Sequence, residues 1–242
     1  MVRDNAIVHH LRSEKIRVAG LARIREIIFG FQDGLITTLG VISTTAGAFA
    51  DNKVVIVVGL EEAVAGAFSM ATGAYLSSQA EKDVLSAEIL QEKDQIRRHP
   101  QVEIDELVEL FKLEHLKKSD AKLATQTISH SNTSFLQTMV EKEFGIDPRP
   151  ASSPIMDGIY IGISYIIAAL IPILPYFFLP THQAIVPSVI LGVLALFLLG
   201  IYKAQVAKSS YVRSGFKVLL FGIISSAGGY FLGKFITDSF GK

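Results

Sequence analysis

From Gly158 to Tyr202 the chain carries no Asp, Glu, Lys or Arg, and His182 is the one basic side chain in the run. A helix needs about 20 apolar residues to cross the hydrocarbon core of a bilayer, so a run of this length has to hold two spans. In lipid the backbone has no water to bond to, which leaves helices or closed barrels as spanning structures. Half of the residues are hydrophobic and the mean hydropathy is +0.40, too apolar for an ordinary soluble domain. The expected fold class is therefore an all-α membrane protein.

The other apolar stretches extend the pattern. Five transmembrane helices are expected, at 29–50, 54–78, 155–179, 183–202 and 216–236. Asp51-Asn52-Lys53 makes a short turn between the first two, and Pro180-Thr181-His182 separates the third from the fourth. Pro172 and Pro175 should kink the third helix, which membrane bundles tolerate because neighbours satisfy the freed carbonyls. Arg3, Arg12, Lys15, Arg17, Arg23 and Arg25 precede the first span, and Lys203, Lys208, Arg213 and Lys217 surround the loop before the fifth. The positive-inside rule then puts the N-terminus in the cytoplasm and the C-terminus outside. Residues 1–28 form a cytoplasmic N-terminal segment without the apolar core of a cleavable signal, so the first span is expected to direct insertion.

Residues 79–153, between the second and third spans, are a different material. They carry fourteen acidic and ten basic residues, against nine and thirteen elsewhere. Three helices are expected in this cytoplasmic insert. The first covers 79–98, continuous with the second span, and His99-Pro100 breaks it. The second covers 101–116, with Ile104, Leu107, Val108 and Phe111 at helical spacing. The third starts near Ser119 or Asp120 as cap, is open to interruption at Ser131-Asn132-Thr133, and stops at Gly145 with Pro148 beyond.

Function is carried by acids in apolar surroundings. Asp33, Glu61, Glu62 and Asp157 lie in or beside the spans, with Glu26 at the margin. An ionisable group at membrane depth is costly and marks an ion or proton path, or a structural hydrogen bond between helices. Glu61 and Glu62, being adjacent, point about 100° apart, so one path cannot take both. Met70 falls two turns after Glu62 on roughly the same side. A carboxylate with a thioether suits a borderline transition metal, whereas Mg2+ and Ca2+ would want oxygen alone. Methionine is also the common filler of a membrane interface.

In the insert, Glu81, Glu88, Glu92 and Gln95 share one helix face; Glu103 and Glu106 lie one turn apart, as do Met139 and Glu143. Such a set could close around divalent cations, as carboxylate bundles do. On spacing alone, a solvated charged face is the commoner outcome.

Other classes are excluded. No basic stripe points to nucleic acid, and with no cysteine there are no disulfides or thiolate sites. The six histidines have no metal-ligand spacing, no nucleophile–base set occurs, and no phosphate-binding loop suggests ATP. The chain is read as a non-enzyme with no cofactor.

Three segments together resemble one family. They are Phe31-Gln32-Asp33-Gly34-Leu35-Ile36-Thr37-Thr38-Leu39-Gly40, the run from Gly59-Leu60-Glu61-Glu62 to Phe68-Ser69-Met70, and Tyr75-Leu76-Ser77-Ser78-Gln79. With His99-Pro100, the stretch from Met139 to Gly145, Asp157-Gly158, Ser164-Tyr165 and Ile171-Pro172-Ile173-Leu174-Pro175, the chain resembles the vacuolar iron transporter family (the VIT/CCC1 group) over nearly its whole length. The resemblance implies a five-helix homodimer that moves Fe2+, often Mn2+, out of the cytosol in exchange for protons, along a path at the dimer interface. By resemblance Asp33, Glu62 and Met70 are the membrane ligands. Glu92, Glu103, Glu106, Met139 and Glu143 match the metal-binding positions of the insert, with Glu81, Glu88, Gln95 and Asp157 as accessories. Three positions depart from the family pattern: Ala74 stands where Gly-Glu-Tyr is common, Gln95 where Glu is expected, and Val140 where a second Met is frequent. The loss at Ala74 motivates an alternative, a metal pathway without proton coupling. A further alternative is a membrane-anchored metal buffer or sensor. The host is expected to be a prokaryotic plasma membrane, by default.

Overall fold

The computed structural model describes residues 2–49, 51–145, 153–206, 208 and 210–220, and every regular element among them is helical. In order these are α1 (Val2–Ala48), α2 (Asn52–Arg98), α3 (Pro100–Leu113), α4 (Lys118–Ser129), α5 (Asn132–Phe144), α6 (Pro154–Ile173), a 3-10 turn (Leu174–Phe177) and α7 (Thr181–Val206). Residues 211–220 are also helical. Four helices contain stretches long and apolar enough to cross a membrane, at Arg23–Ala48, Asn52–Arg98, Pro154–Phe177 and Thr181–Val206. Most of the expected fifth span, 216–236, lies outside the described residues.

The first helix starts at Val2, ahead of the expected start at 29. Its apolar half bonds its own polar side chains inward: Thr44 and Thr45 donate to the carbonyls of Gly40 and Val41 at 3.0 and 2.8 Å. That back-bonding satisfies these two hydroxyls within the helix. The second helix is 47 residues long, about 70 Å at 1.5 Å per residue, so only its apolar part can lie in a bilayer.

Contacts divide the chain into two units, one holding the residues up to Leu76 and from Pro154 onward, the other Ser77–Ser153. In the first, α6 packs against α1 and α2 through glycine. A Cβ on Gly34 would fall 2.5 Å from the Tyr165 carbonyl oxygen, and one on Gly158 2.7 Å from that of Ala71. Small residues let membrane helices approach this closely. The seam of α2 is narrow: Gly59, Ala63 and Ala67 are buried, while Ser69, Gly73 and Ser77 are exposed.

One end of this unit is tied by Asn52. Its amide donates to the carbonyls of Tyr176 and Leu179 at 2.8 and 2.6 Å and its oxygen accepts from the Thr181 hydroxyl, joining the first residue of α2 to the turn before α7 and to the start of α7. Pro172 is absorbed inside α6, and the chain tightens into the 3-10 turn only at Leu174–Phe177, which contains Pro175. Ser188 on α7 donates to the Pro172 carbonyl at 2.7 Å, satisfying the bend from a neighbouring helix.

The second unit corrects the three-helix expectation. It contains the end of α2 and three further helices, because the break at His130–Ser131 separates α4 from α5. Pro100 opens α3 at a position that needs no N–H, and Leu107, Val108 and Phe111 bury its apolar face against Ala121, Phe135 and Met139. α3 ends at Leu113, earlier than expected, in a Schellman turn. The N–H of Leu116 reaches the Phe111 carbonyl, that of His115 reaches Lys112, and His115 takes the left-handed conformation at φ 71°. With the chain emerging extended at Lys117, that residue is the N-cap of α4; the expected caps Ser119 and Asp120 fall inside the first turn. Ser131 caps α5, accepting from the Ser134 N–H, and Gly145 stops it at φ 66°. Pro148 lies outside the described residues.

Candidate functional site

In the first unit, the apolar cluster of Ala63, Ala67, Tyr165 and Ala169, with Met70 packed against it, surrounds one acid. Glu62 on α2 accepts a hydrogen bond on each carboxylate oxygen: the Tyr165 phenol on α6 donates to Oε1 and the Thr38 hydroxyl on α1 to Oε2. Three helices therefore converge on a single carboxylate. Glu61, one residue earlier, is exposed, as the 100° step between neighbours requires. The Asp33 carboxylate and the Thr37 hydroxyl, both on α1, lie close enough to act on the Tyr165 phenol.

Tyr165 is 2% exposed and reaches Glu62 by lying over glycine. Gly66 is one turn beyond Glu62, and a Cβ there would sit 2.3 Å from the phenol oxygen. A cleft of about 280 Å3 is lined by Ala71, Thr72, Tyr75, Ile155, Gly158 and Ile159. Asp157 is buried in the first turn of α6, where a helix N-terminus favours negative charge. Glu26 is buried and accepts from the Arg25 guanidinium at 2.8 Å.

In the second unit, Glu92 and Glu103 are buried, Glu106 and Glu143 exposed. Oε1 of Glu92 is enclosed without a hydrogen-bond partner. Burial, reinforced by the charges of Glu103 and Glu143, pushes the Glu92 carboxyl up to about 8. Burial and then the charge of Glu106 raise Glu103 and Glu143 as well. Glu88 contributes to the field at Glu143, while Glu81 and Gln95 are exposed. Met139 is fully buried within the apolar core of the unit, beside Leu107 and Phe111, and Val140 is fully buried too. Among the described residues no three His, Asp or Glu side chains stand together in a geometry that would hold a metal ion.

A family model for the VIT family matches residues 24–234, most of the chain. The chain belongs to the VIT family. It is 30% identical over 229 residues to vacuolar iron transporter 1 of Arabidopsis thaliana, covering 94% of this chain and 90% of the plant protein. It is 26% identical to the vacuolar iron transporter of Plasmodium falciparum, covering 89% of this chain and 83% of that protein. Protein CCC1 of Saccharomyces cerevisiae is 25% identical, covering 88% and 69%. Membership makes this a multi-pass membrane transporter and not an enzyme. These relatives are eukaryotic and lend no support to the expected prokaryotic host.

The VIT-family chain thus brings Glu62, Asp33 and Met70 into one unit, and it adds two residues the acid-and-thioether reading missed. Thr38 and Tyr165 are polar groups that look unremarkable in sequence. The available signal was a fully apolar helix face on α6 interrupted by Ser164-Tyr165, since a tyrosine hydroxyl in a membrane interior needs a partner.

Proposed function

We propose that this VIT-family chain exports Fe2+ from the cytosol, with Mn2+ as a second substrate, by exchange for protons. Asp33, Glu62 and Met70 form the membrane pathway, and Glu92, Glu103, Glu106, Met139 and Glu143 bind the ion in the second unit. The observation that carries the reading is Glu62: a carboxylate within an apolar spanning segment, held by hydroxyls from two other helices. A mere anchor has no reason to bear that desolvation cost, which argues against the buffer or sensor alternative. Metal binding needs deprotonated ligands, so protons arriving at Asp33 and Glu62 from the far side release the ion. The pathway is taken to run between two copies of the chain, which doubles the ligands that one copy offers. The N-terminus is cytoplasmic, and the direction is out of the cytosol whether the host is a plasma membrane or, as the relatives' names say of them, a vacuolar one.

The test is uptake into inside-out vesicles. Wild-type protein is expected to take up Fe2+, and Asp33→Asn and Met70→Ala to abolish uptake; normal flux through Asp33→Asn would remove the role given to it. Ala74 favours one competing reading, the uncoupled pathway, because the half-buried position offers no protonatable group. In that case flux would follow voltage and ignore the direction of a pH gradient.

A further inference from the structure

We propose that Tyr165 and Thr38 are positioning residues for transport, fixing the Glu62 carboxylate so that its unused lone pairs face the passing ion. The inference rests on the reading of Glu62 as a pathway ligand and adds residues to it. A carboxylate has about four lone-pair sites, and the two hydroxyl donors occupy one on each oxygen. A divalent cation can therefore take an oxygen of Glu62 without breaking either bond. Donors that grip a ligating carboxylate from behind set its direction, and losing one typically costs about 10–100-fold in metal affinity or activity.

Two observations separate this role from simple glue between helices. The first is Thr38. Thr44, Thr45 and Thr72 spend their hydroxyls on the carbonyl four residues back, the default for threonine in an apolar helix. Thr38, fully buried, gives its proton to Glu62 across to α2 instead. The second is the seat under Tyr165. Gly34 presses on the backbone of Tyr165 and Gly66 on its ring, and a Cβ at either would come within 2.5 Å. Both glycines are consumed in bringing one phenol to one carboxylate. The same phenol lies within electrostatic reach of Asp33 on α1.

The experiment is Fe2+ uptake by the full-length protein in liposomes, with KM and Vmax measured separately. Tyr165→Phe and Thr38→Val are each expected to raise KM by about 10–100-fold with Vmax retained. Thr38→Ser, which keeps the donor, is expected to show the wild-type KM. A helix-gluing role would lower the amount of active protein, and so Vmax, at unchanged KM. A wild-type KM in Tyr165→Phe or Thr38→Val overturns the proposal. Should Tyr165→Phe fail to fold, the contrast between Thr38→Val and Thr38→Ser decides: equal KM values overturn the proposal, a raised KM in the valine variant alone supports it. Wild-type liposomes without any metal flux would overturn the transport reading itself, a result distinct from a normal KM in the variants.

Discussion

Replacing Gly66 with alanine puts a methyl group where the Tyr165 phenol lies. The new Cβ would stand 2.3 Å from Oη, 2.5 Å from Cζ and 2.7 Å from Cε1, about 1 Å inside the roughly 3.5–4.0 Å of an ordinary carbon contact. The ring has little room to retreat, because at the other end of the residue Gly34 already approaches its backbone and Cγ. A shift of about 1 Å takes the phenol out of hydrogen-bond range of Glu62. Overpacking costs about 1–3 kcal/mol, and losing a hydrogen bond to a carboxylate about 1.5–3 kcal/mol, so the variant should lose about 2.5–6 kcal/mol. Thermal unfolding of the detergent-solubilised protein reads the loss, and liposome uptake should show a raised KM for Fe2+. In a Tyr165→Phe background the hydrogen-bond share is already gone, and Gly66→Ala should cost only the overpacking part, about 1–3 kcal/mol. Equal costs in both backgrounds, or a Gly66→Ala protein with wild-type stability, would refute the reasoning.

Three further outcomes are expected. Glu92 has a folded pKa of about 8 against an ordinary 4.5, so the folded state holds a proton that the unfolded chain releases. Its stabilisation is complete below about pH 4.5 and is lost as pH rises through about 8; amide exchange in residues 77–145 should quicken over that window, and Glu92→Gln should flatten the trend. Asn52→Asp keeps the acceptor for Thr181 but strips the donors from the Tyr176 and Leu179 carbonyls, and should lower the unfolding free energy by about 1–3 kcal/mol, read by thermal denaturation. His115→Gly relieves a left-handed residue, worth about 1–2 kcal/mol, against about 0.4–1 kcal/mol of added unfolded-chain entropy; a small net gain in stability is expected, and a loss would contradict the Schellman assignment.

Four of the five expected spans were legible as long apolar helices because lipid leaves the backbone so few options. The charge-free run predicted α6 and α7; Asp51 and Pro180 fell between helices, while Asn52-Lys53 and Thr181-His182, expected as turn residues, open α2 and α7. His99-Pro100 and Gly145 ended helices for the local reasons their chemistry supplies. What the sequence hid was set by tertiary contact. The cap of α4 moved to Lys117 after a histidine, with no glycine present, adopted the left-handed turn that ends α3. Pro172 was carried within α6, with its carbonyl bonded by Ser188 from another helix. At the site, helical geometry was enough to separate Glu62 from Glu61, but Thr38 and Tyr165 come from helices far along the chain, and no spacing rule links them to Glu62. In the second unit the reverse happened: Glu92 and Glu103 belong to a charge pattern that usually stays solvated, yet both are buried.

The central claim is that metal leaves the cytosol in exchange for protons through Asp33, Glu62 and Met70. The most direct measurement is Fe2+ uptake into liposomes holding the wild-type protein, with internal pH recorded in the same trace. The account predicts that Fe2+ entry raises internal pH, that an inward-acid gradient accelerates uptake, and that Glu62→Gln abolishes both signals together. Fe2+ entry with no change in internal pH, and no response to the direction of the gradient, would contradict it.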